Sequence, residues 1–574
     1  MTVTTTLDSD VIVIGAGPAG LALTHLLALR GVSVTLVEAL PDIIDWPRAV
    51  GIDDESFRTL QTMGVIDEVL PHTTPNHIMR IVNGRGKVMI EIKPKTREFG
   101  WSRRNSFSQP DVDKLVWQEL ARYPHVTTHF GSWVDAVKEI DDHVEVTVTR
   151  ADGSSHVLRS HYLVGADGGK SPTRKYIGTS FAGKSPSTRW VVVDVDNDPV
   201  GTPNVFLGGD PKRPYVSLAL PHGVRRFEFM IFDDETDEQA QDEVFLRGLL
   251  QQFVPDPTTM NLVRTRVFTH HSRVAGTFRR GRVLIAGDAA HLMPVWQGQG
   301  YNSGMRDATN LAWKLAAVVH GDSGEALLDT YTQERKAHAQ AMVDISTTFG
   351  KIVKPTNRIV AGLRDGAFAT MNVFPSVKAY FAEMKFKPMP RYAAGAIVDV
   401  DSMVPGRASA TLRSATVAIL SANNHASPVG TQFIQPRVDG CGQRDVLLDD
   451  LIGPGWAVIA WAVNPETLFS DSELAALDRL GARLVSVRPT TQVDNEPPQH
   501  VNAFVVSDVT GELKTWFDAR PTPVVFLRPD RFIGAAGVTG TASRNLAALL
   551  TAVHAQPSVV HEHKMTKENA HDFH

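Results

Sequence analysis

The chain has 574 residues, 43% hydrophobic and 21% charged, with 58 Lys and Arg against 63 Asp and Glu, a net charge of -5 and one cysteine. That length exceeds a single core and predicts three or four units. The charge gives no footprint for nucleic acid, the lone Cys441 removes a disulfide framework and any multi-cysteine metal site, no metal ligand set is assigned, and no uncharged apolar run approaches the ~18 residues of a membrane span. The first residues lack a basic, apolar leader, and a cytoplasmic enzyme that does not engage a membrane is expected.

The first forty residues carry the strongest pattern. The β-branched run Val11-Ile12-Val13-Ile14 feeds Gly15-Ala16-Gly17-Pro18-Ala19-Gly20. An apolar segment over 21–30 predicts a helix ended by Gly31, and a second β-branched run over 32–37 closes on Glu38. This is a βαβ unit with an acid about 20 residues beyond its glycines. Gly15 permits the tight turn, Gly17 lets backbone approach a pyrophosphate, and Gly20 lets helix and strand pack closely. The helix N-terminus offers free N–H groups and a positive dipole end to phosphates, and Glu38 suits a ribose hydroxyl pair.

Residues 45–55 read as a loop entering a helix that ends near Gly64, and 78–93 as two short strands around Asn83-Gly84. The stretch 101–109 resembles a strand returning to the cofactor, 111–122 a helix, and 126–154 a hairpin. A buried strand over 162–165 runs into the turn Asp167-Gly168. From 186 to 270 the runs are β-rich and separated by Pro, Gly and Asp, which predicts an antiparallel sheet inserted into the dinucleotide-binding domain. The buried-strand pattern resumes at 282–288 and ends on Gly287-Asp288. Long helices are expected over 302–320 and 325–350, and irregular helix and linker over 351–395. Past 400, strand-like runs at 456–461, 483–487, 501–506 and 524–527 alternate with helical stretches at 470–481 and 541–554, a small α/β unit. The tail from His561 is expected to be disordered. The glycines at 534, 537 and 540 lack the dinucleotide spacing, so no second such site is expected.

Three motifs stand in order: GxGxxG with Glu38, Asp167-Gly168, and Gly287-Asp288 followed by Pro294-x-x-x-Gly298-x-Gly300-Tyr301-Asn302. This order resembles the FAD-dependent aromatic hydroxylases, the single-component flavoprotein monooxygenases typified by 4-hydroxybenzoate and phenol hydroxylases. The strings at 47–55 and 293–307 look closest to the 3-(3-hydroxyphenyl)propionate and 3-hydroxycinnamate hydroxylases, and the C-terminal unit is similar to the thioredoxin-like domain of that branch. The resemblance implies a Rossmann-like FAD-binding domain from 1–77, 100–185 and 270–395, a substrate-binding sheet domain from 78–99 and 186–269, a thioredoxin-like domain over 396–560, and the tail 561–574. With no Cys-x-x-Cys, the third domain has no dithiol chemistry. The resemblance also assigns Arg48 and Gln109 to the cofactor's phosphates and ribose, Asp167-Gly168 to FAD and nicotinamide, and Asp288 to the ribityl and pyrophosphate region. It lays Pro294 to Asn302 along the isoalloxazine, with the following helix aimed at the flavin pyrimidine, where negative charge on reduced flavin gains about 0.3–1 kcal/mol from the helix dipole.

The implied reaction uses NADH or NADPH and O2 to hydroxylate a phenolic acid beside its hydroxyl, with the flavin carrying the redox chemistry. A phenol with pKa near 10 needs help to lose its proton at neutral pH. Asp53 is the candidate base and His291, in the flavin loop, the second catalytic candidate. The acid's carboxylate needs a cationic or hydrogen-bond-donating anchor, for which Arg213, Tyr215, Arg225 and Arg226 in the inserted sheet are the candidates. Hydroxylation of a simpler phenol or a resorcinol, a flavin oxidase or dehydrogenase, a non-catalytic flavin sensor, and a homo-oligomeric state all stay open.

Overall fold

The structure, a computed structural model, describes residues 6–185, 188–198, 200–399, 427–492 and 499–556; the expected tail from His561 lies outside them. Ser9–Ile14 is the axis of an eight-stranded sheet. It pairs in parallel with Val34–Val37 and with Ser155–Gly165, and Val126–His129 and Val283–Ile285 extend the parallel array on either side. Strands buried on both faces must be apolar throughout, and Val11, Ile12, Val13, Val34, Leu36 and Val37 are all fully buried. The region expected as one hairpin is a longer antiparallel meander, Ser132–Glu139, Val144–Arg150 and Ser155–Gly165. Its last strand turns parallel to Ser9–Ile14 once past Ser160.

A seven-stranded sheet stands beside this one, in the order Leu262–Thr269, Arg189–Val195, Arg225–Ile231, Tyr215–Ala219, Val205–Gly209, Met79–Asn83, Val88–Ile92. It is antiparallel except where Val205–Gly209 runs parallel to Met79–Asn83, a crossover between distant chain segments that no local turn pattern announces. One face packs on the helix Asp329–Val353 and on Trp296; the other covers Phe227, Phe229, Leu246 and Leu250. Where irregular helix and linker were expected over 351–395, two regular helices form, Arg358–Met371 and Pro375–Ala382. The polar and proline residues that look like interruptions are caps: Asn357 accepts from the amides of Ile359 and Val360, and Pro375 opens the second helix. No helix among the described residues is long and apolar enough to cross a membrane.

The C-terminal unit is a further seven-stranded sheet in which Ala457–Trp461 runs parallel to Arg483–Arg488 and antiparallel to Val524–Leu527, with Ile533–Gly537 outside the latter. That order, with helix Asp471–Arg479 in the crossover from Ala457–Trp461 to Arg483–Arg488 and helix Ala542–Ala552 after the last strand, is thioredoxin-like. Cys441 is exposed in a turn at φ 51°. The unit docks through buried charge. Arg528 donates to both oxygens of Glu334 at 2.9 and 2.8 Å, and Lys314 reaches the same carboxylate at 2.7 Å. Arg58 holds Asp449 at 2.6 Å, and Arg531 lies 3.1 Å from it. Burial alone would raise the Glu334 carboxyl, but Arg528 and Lys314 outweigh it and hold it at about 2.

Glu334→Ala would leave the buried Lys314 without its partner and Arg528 with Asp530 alone, so the urea unfolding midpoint should correspond to a loss of about 3–5 kcal/mol. Because the folded pKa is depressed, the contribution is present above the ordinary glutamate pKa and fades as pH falls toward 2. Unchanged stability at pH 7 would show that the docking does not rest on this carboxylate.

Candidate functional site

The first strand ends at a turn that only glycine can make. Gly15 has φ +102°, and a Cβ there would lie 2.5 Å from the Ala166 carbonyl oxygen; a Cβ on Gly20 would lie 1.9 Å from the Gly15 oxygen. A Cβ on Gly17 would meet nothing within 4 Å, because the backbone there borders open cavity. The helix Pro18–Ala28 starts at this point with its N-terminus toward the same space. Glu38 accepts from the Ala16 amide at 2.6 Å and the Leu40 amide at 2.8 Å, fixing the acid beside the turn. Gly15, Gly20 and Glu38 therefore shape the cradle from behind, whereas Gly17, Pro18 and Ala19 line it. Asp167 also supports from behind, capping Thr173 at 2.9 Å, while Gly168 borders the cavity. Ala19 packs against Gly287 and Gly304, whose missing side chains let two helices and the Gly287-Asp288 turn converge; a Cβ at either glycine would lie 2.9 or 3.2 Å from the Ala19 methyl. The Asp288 side chain faces the open cavity although protein surrounds it, and that burial pushes its carboxyl up. The donor-rich, glycine-floored cradle fits a dinucleotide such as FAD.

Gln109 locks the opposite wall. Its Oε1 accepts from the amides of Arg48 and Ala49 at 3.0 and 2.6 Å, and its Nε2 donates to Asp113 at 2.8 Å. Asn302 does the same for the flavin loop, accepting from the Asp53 amide at 3.0 Å and the Ser56 hydroxyl at 2.7 Å, and donating to the Gly51 and Gly298 carbonyls at 3.1 and 2.7 Å. Pro294, Gly298, Gly300 and Tyr301 line the cavity, with Gly298 at φ +62° starting the helix Gln299–Val319. Tyr301 sets its ring edge-on to Phe107 at 4.8 Å.

Below this loop lies a buried ion cluster. Arg306 binds Asp53 and both oxygens of Glu55, the latter at 2.9 and 2.8 Å, and Lys387 lies 3.0 Å from Asp53. Burial pushes the Asp53 carboxyl up, but Arg306 and Lys387 outweigh it and hold it below its usual range; Glu55 is held at about 2 in the same way. Asp53 reaches the cavity wall and also caps its helix through Ser56 at 3.1 Å. An acid kept ionised by two cations is an anchor and a weak proton acceptor, which corrects the expectation of Asp53 as base. His291 does not border the cavity either. It is fully buried, with Nε2 2.7 Å from Asp307, a carboxylate that also takes the Gly287 amide at 3.0 Å and Arg335 at 2.8 Å. Its place is the scaffold of the Gly287-Asp288 turn.

The far end of the cavity is floored by one face of the seven-stranded sheet: Met79, Val205, Leu207, Val216, Leu218 and Glu228. Alternation along each strand decides which side chains arrive there. Tyr215 and Arg225, one residue off the lining positions, point to the other face. Tyr215 packs edge-on to Phe253 at 4.9 Å, and Arg225 binds Asp198 at 2.5 and 2.8 Å. Arg213 is paired with Glu235 at 2.9 and 2.5 Å. None of the three lines the cavity, so these expected substrate anchors are corrected. On the cavity-side phase, Arg226 bonds Asp194 at 2.7 and 2.8 Å and the Pro47 carbonyl at 2.7 Å, tying the sheet to the cofactor loop. Glu228, missed from sequence, is buried with Oε2 unpartnered; burial, opposed by Arg226, pushes its carboxyl up to about 7. A lone acid in the alternating string Arg225-Arg226-Phe227-Glu228-Phe229-Met230 was its signal. His77 and Arg104 complete this end.

Residues 8–346 match the family model described as FAD binding domain, and 430–552 the one described as HcaD C-terminal domain. A 3-(3-hydroxy-phenyl)propionate/3-hydroxycinnamic acid hydroxylase of Mycobacterium avium (strain 104) is 48% identical over 559 residues, 96% of this chain and 93% of the relative. Its namesake in Klebsiella pneumoniae (strain 342) is 45% identical over 541 residues, 94% of each chain. Among solved structures, the flavin-dependent monooxygenase PieE in complex with FAD and substrate shares the fold at TM-score 0.78 and 20% identity, covering 96% of this chain and 99% of that one. Aklavinone-11 hydroxylase with FAD and aklavinone does so at TM-score 0.74 and 23% identity, covering 96% and 100%. A FAD-binding match over more than half the chain, with hydroxylase relatives along nearly all of it, makes this protein a member of the FAD-dependent aromatic hydroxylases.

Proposed function

We propose that the chain hydroxylates 3-(3-hydroxyphenyl)propionate, and its 3-hydroxycinnamate counterpart, next to the existing hydroxyl to give the 2,3-dihydroxy acid. NAD(P)H and O2 are consumed, with NAD(P)+ and one water as the other products. The observation that carries this reading is one cavity that joins the glycine cradle to an apolar sheet face; it is supported by relatives of that name at 45–48% identity. When bound, FAD would supply the hydride-accepting and O2-activating chemistry that hydroxylation of an electron-rich ring requires. Gly17, Pro18, Asp288 and the N-terminus of Pro18–Ala28 would hold its pyrophosphate region, and Pro294 to Asn302 would border its ring system. The protein's own work is to place the substrate ring on Met79, Val205, Leu207, Val216 and Leu218, and to keep water out with Trp296 and Met384.

Glu228 is the residue we assign to the phenolic proton. Glu228 lines the cavity, its carboxylate makes no hydrogen bond among the described residues through the buried Oε2, and a carboxyl pushed up to about 7 is a far better match to neutral pH than the clamped Asp53. The ionised form is the acceptor, so kcat/KM should rise as pH increases through about 7. Glu228→Gln should keep full flavin content, lower kcat by about 100-fold or more, and lose that pH dependence. A variant with the native pH profile would exclude Glu228. The substrate class is tested by NADH oxidation and product analysis over a panel: the phenolic acid should be turned over far more efficiently than neutral 3-ethylphenol, and equal efficiencies would replace the acid reading with a simple-phenol one.

A further inference from the structure

Three guanidinium groups border the cavity, and two are already accounted for. Arg103 is matched by Asp54 and Glu98, each at 3.1 Å. Arg48 is exposed at the dinucleotide end, where its charge acts on Asp113 and Asp288. Arg104 is different. Its side chain makes no hydrogen bond or ion pair among the described residues, and its Nε is buried with no partner. It sits at the sheet end of the cavity beside His77, whose amide donates to the Arg104 carbonyl at 2.9 Å.

The surroundings offer this cation no counter-charge of its own. Burial, and then the Arg104 charge, push the His77 imidazole down to about 3, so it is neutral, and its Nε2 is likewise buried without a partner. Asp53 acts on Arg104 from nearby, but its carboxylate is shared between Arg306 and Lys387. The neighbouring wall, Met79, Val205 and Leu207, is apolar. Burial lowers Arg104 only to about 10, which leaves it protonated at neutral pH. A buried, unmatched guanidinium is costly, and a planar fork of N–H donors beside an apolar wall is matched best by a carboxylate.

We propose that Arg104 is the anchor for the carboxylate of the acid substrate, holding its propionate or propenoate tail while the ring lies on the apolar sheet face. This rests on the phenolic-acid reading above. It assigns the specificity for acids over plain phenols to a loop residue at the entrance to Asn105–Phe107 and to none of the sheet arginines.

The test uses the FAD-loaded enzyme and follows the flavin absorbance change as 3-(3-hydroxyphenyl)propionate or 3-ethylphenol is titrated in without reductant. Arg104→Met should weaken the acid by about 30-fold or more, the lower bound for loss of one partner of a buried charge pair. Affinity for 3-ethylphenol should shift by no more than about threefold, with flavin content unchanged. Arg104→Lys, which restores the charge without the fork, should recover part of the acid affinity. Equal weakening of both ligands, or no weakening of the acid, overturns the proposal, as does loss of FAD from the Met variant, which would give the guanidinium to the cofactor. If the unmodified enzyme itself fails to prefer the acid, the phenolic-acid reading fails and the anchor falls with it; a native preference that survives in Arg104→Met defeats the anchor alone.

Discussion

The buried cluster of Asp53, Glu55, Arg306 and Lys387 is the constraint around which the site is assembled. Ions of this kind are tolerated inside a protein only when each is matched in position as well as sign. Arg306 therefore fixes the helix Gln299–Val319 against the start of Asp54–Thr62, and Asn302, one turn earlier, bonds the backbone of the same loop from the cavity side. The next residue, Asp307, gathers the Gly287 amide, His291 and Arg335. Two adjacent residues of one helix thus hold the cofactor cradle, the flavin loop and the loop that reaches the substrate sheet in a single register. Charges that resemble catalytic groups in a sequence are here the fasteners of the site.

The same logic extends outward. Arg226 pairs with Asp194 on the seven-stranded sheet and also donates to the Pro47 carbonyl, so the floor of the cavity is tied to the loop that Gln109 grips from the other side. Glu334, on the helix that backs the site, is shared between Lys314 and Arg528, which joins the thioredoxin-like unit to the flavin-binding part. With a solitary exposed Cys441, that unit contributes packing and ion pairs to the assembly and has no dithiol to cycle.

The backbone of the cradle was legible locally. The βαβ unit and the string from Gly287 to Asn302 are contiguous motifs whose geometry is set by backbone, and glycine positions report that geometry directly. The substrate end was not legible in the same way, because it depends on strand phase. Tyr215 and Arg225 have the right chemistry but stand on the wrong side of a period of two, while Val216 and Arg226, one residue away, and Glu228, two beyond Arg226, stand on the right one. His291 and Asp53 were misread for another reason: their roles are set by Asp307, Arg306 and Lys387, which lie far from one or both of them in the chain. Arg104 was hidden because what marks it is the lack of a partner, a property no local string displays.

What remains is chemistry at a floor of apolar side chains with a neutral-range acid in its wall and a cofactor cradle opposite. The account requires that an oxygen atom from O2 end on the ring beside the existing hydroxyl. The most direct measurement is mass spectrometry of the product formed from 3-(3-hydroxyphenyl)propionate and NADH under 18O2. One heavy oxygen in the new hydroxyl of the 2,3-dihydroxy acid, with one NADH consumed for each product, is the predicted result. An unlabelled product, or NADH consumption that yields only hydrogen peroxide and no hydroxylated acid, would contradict it.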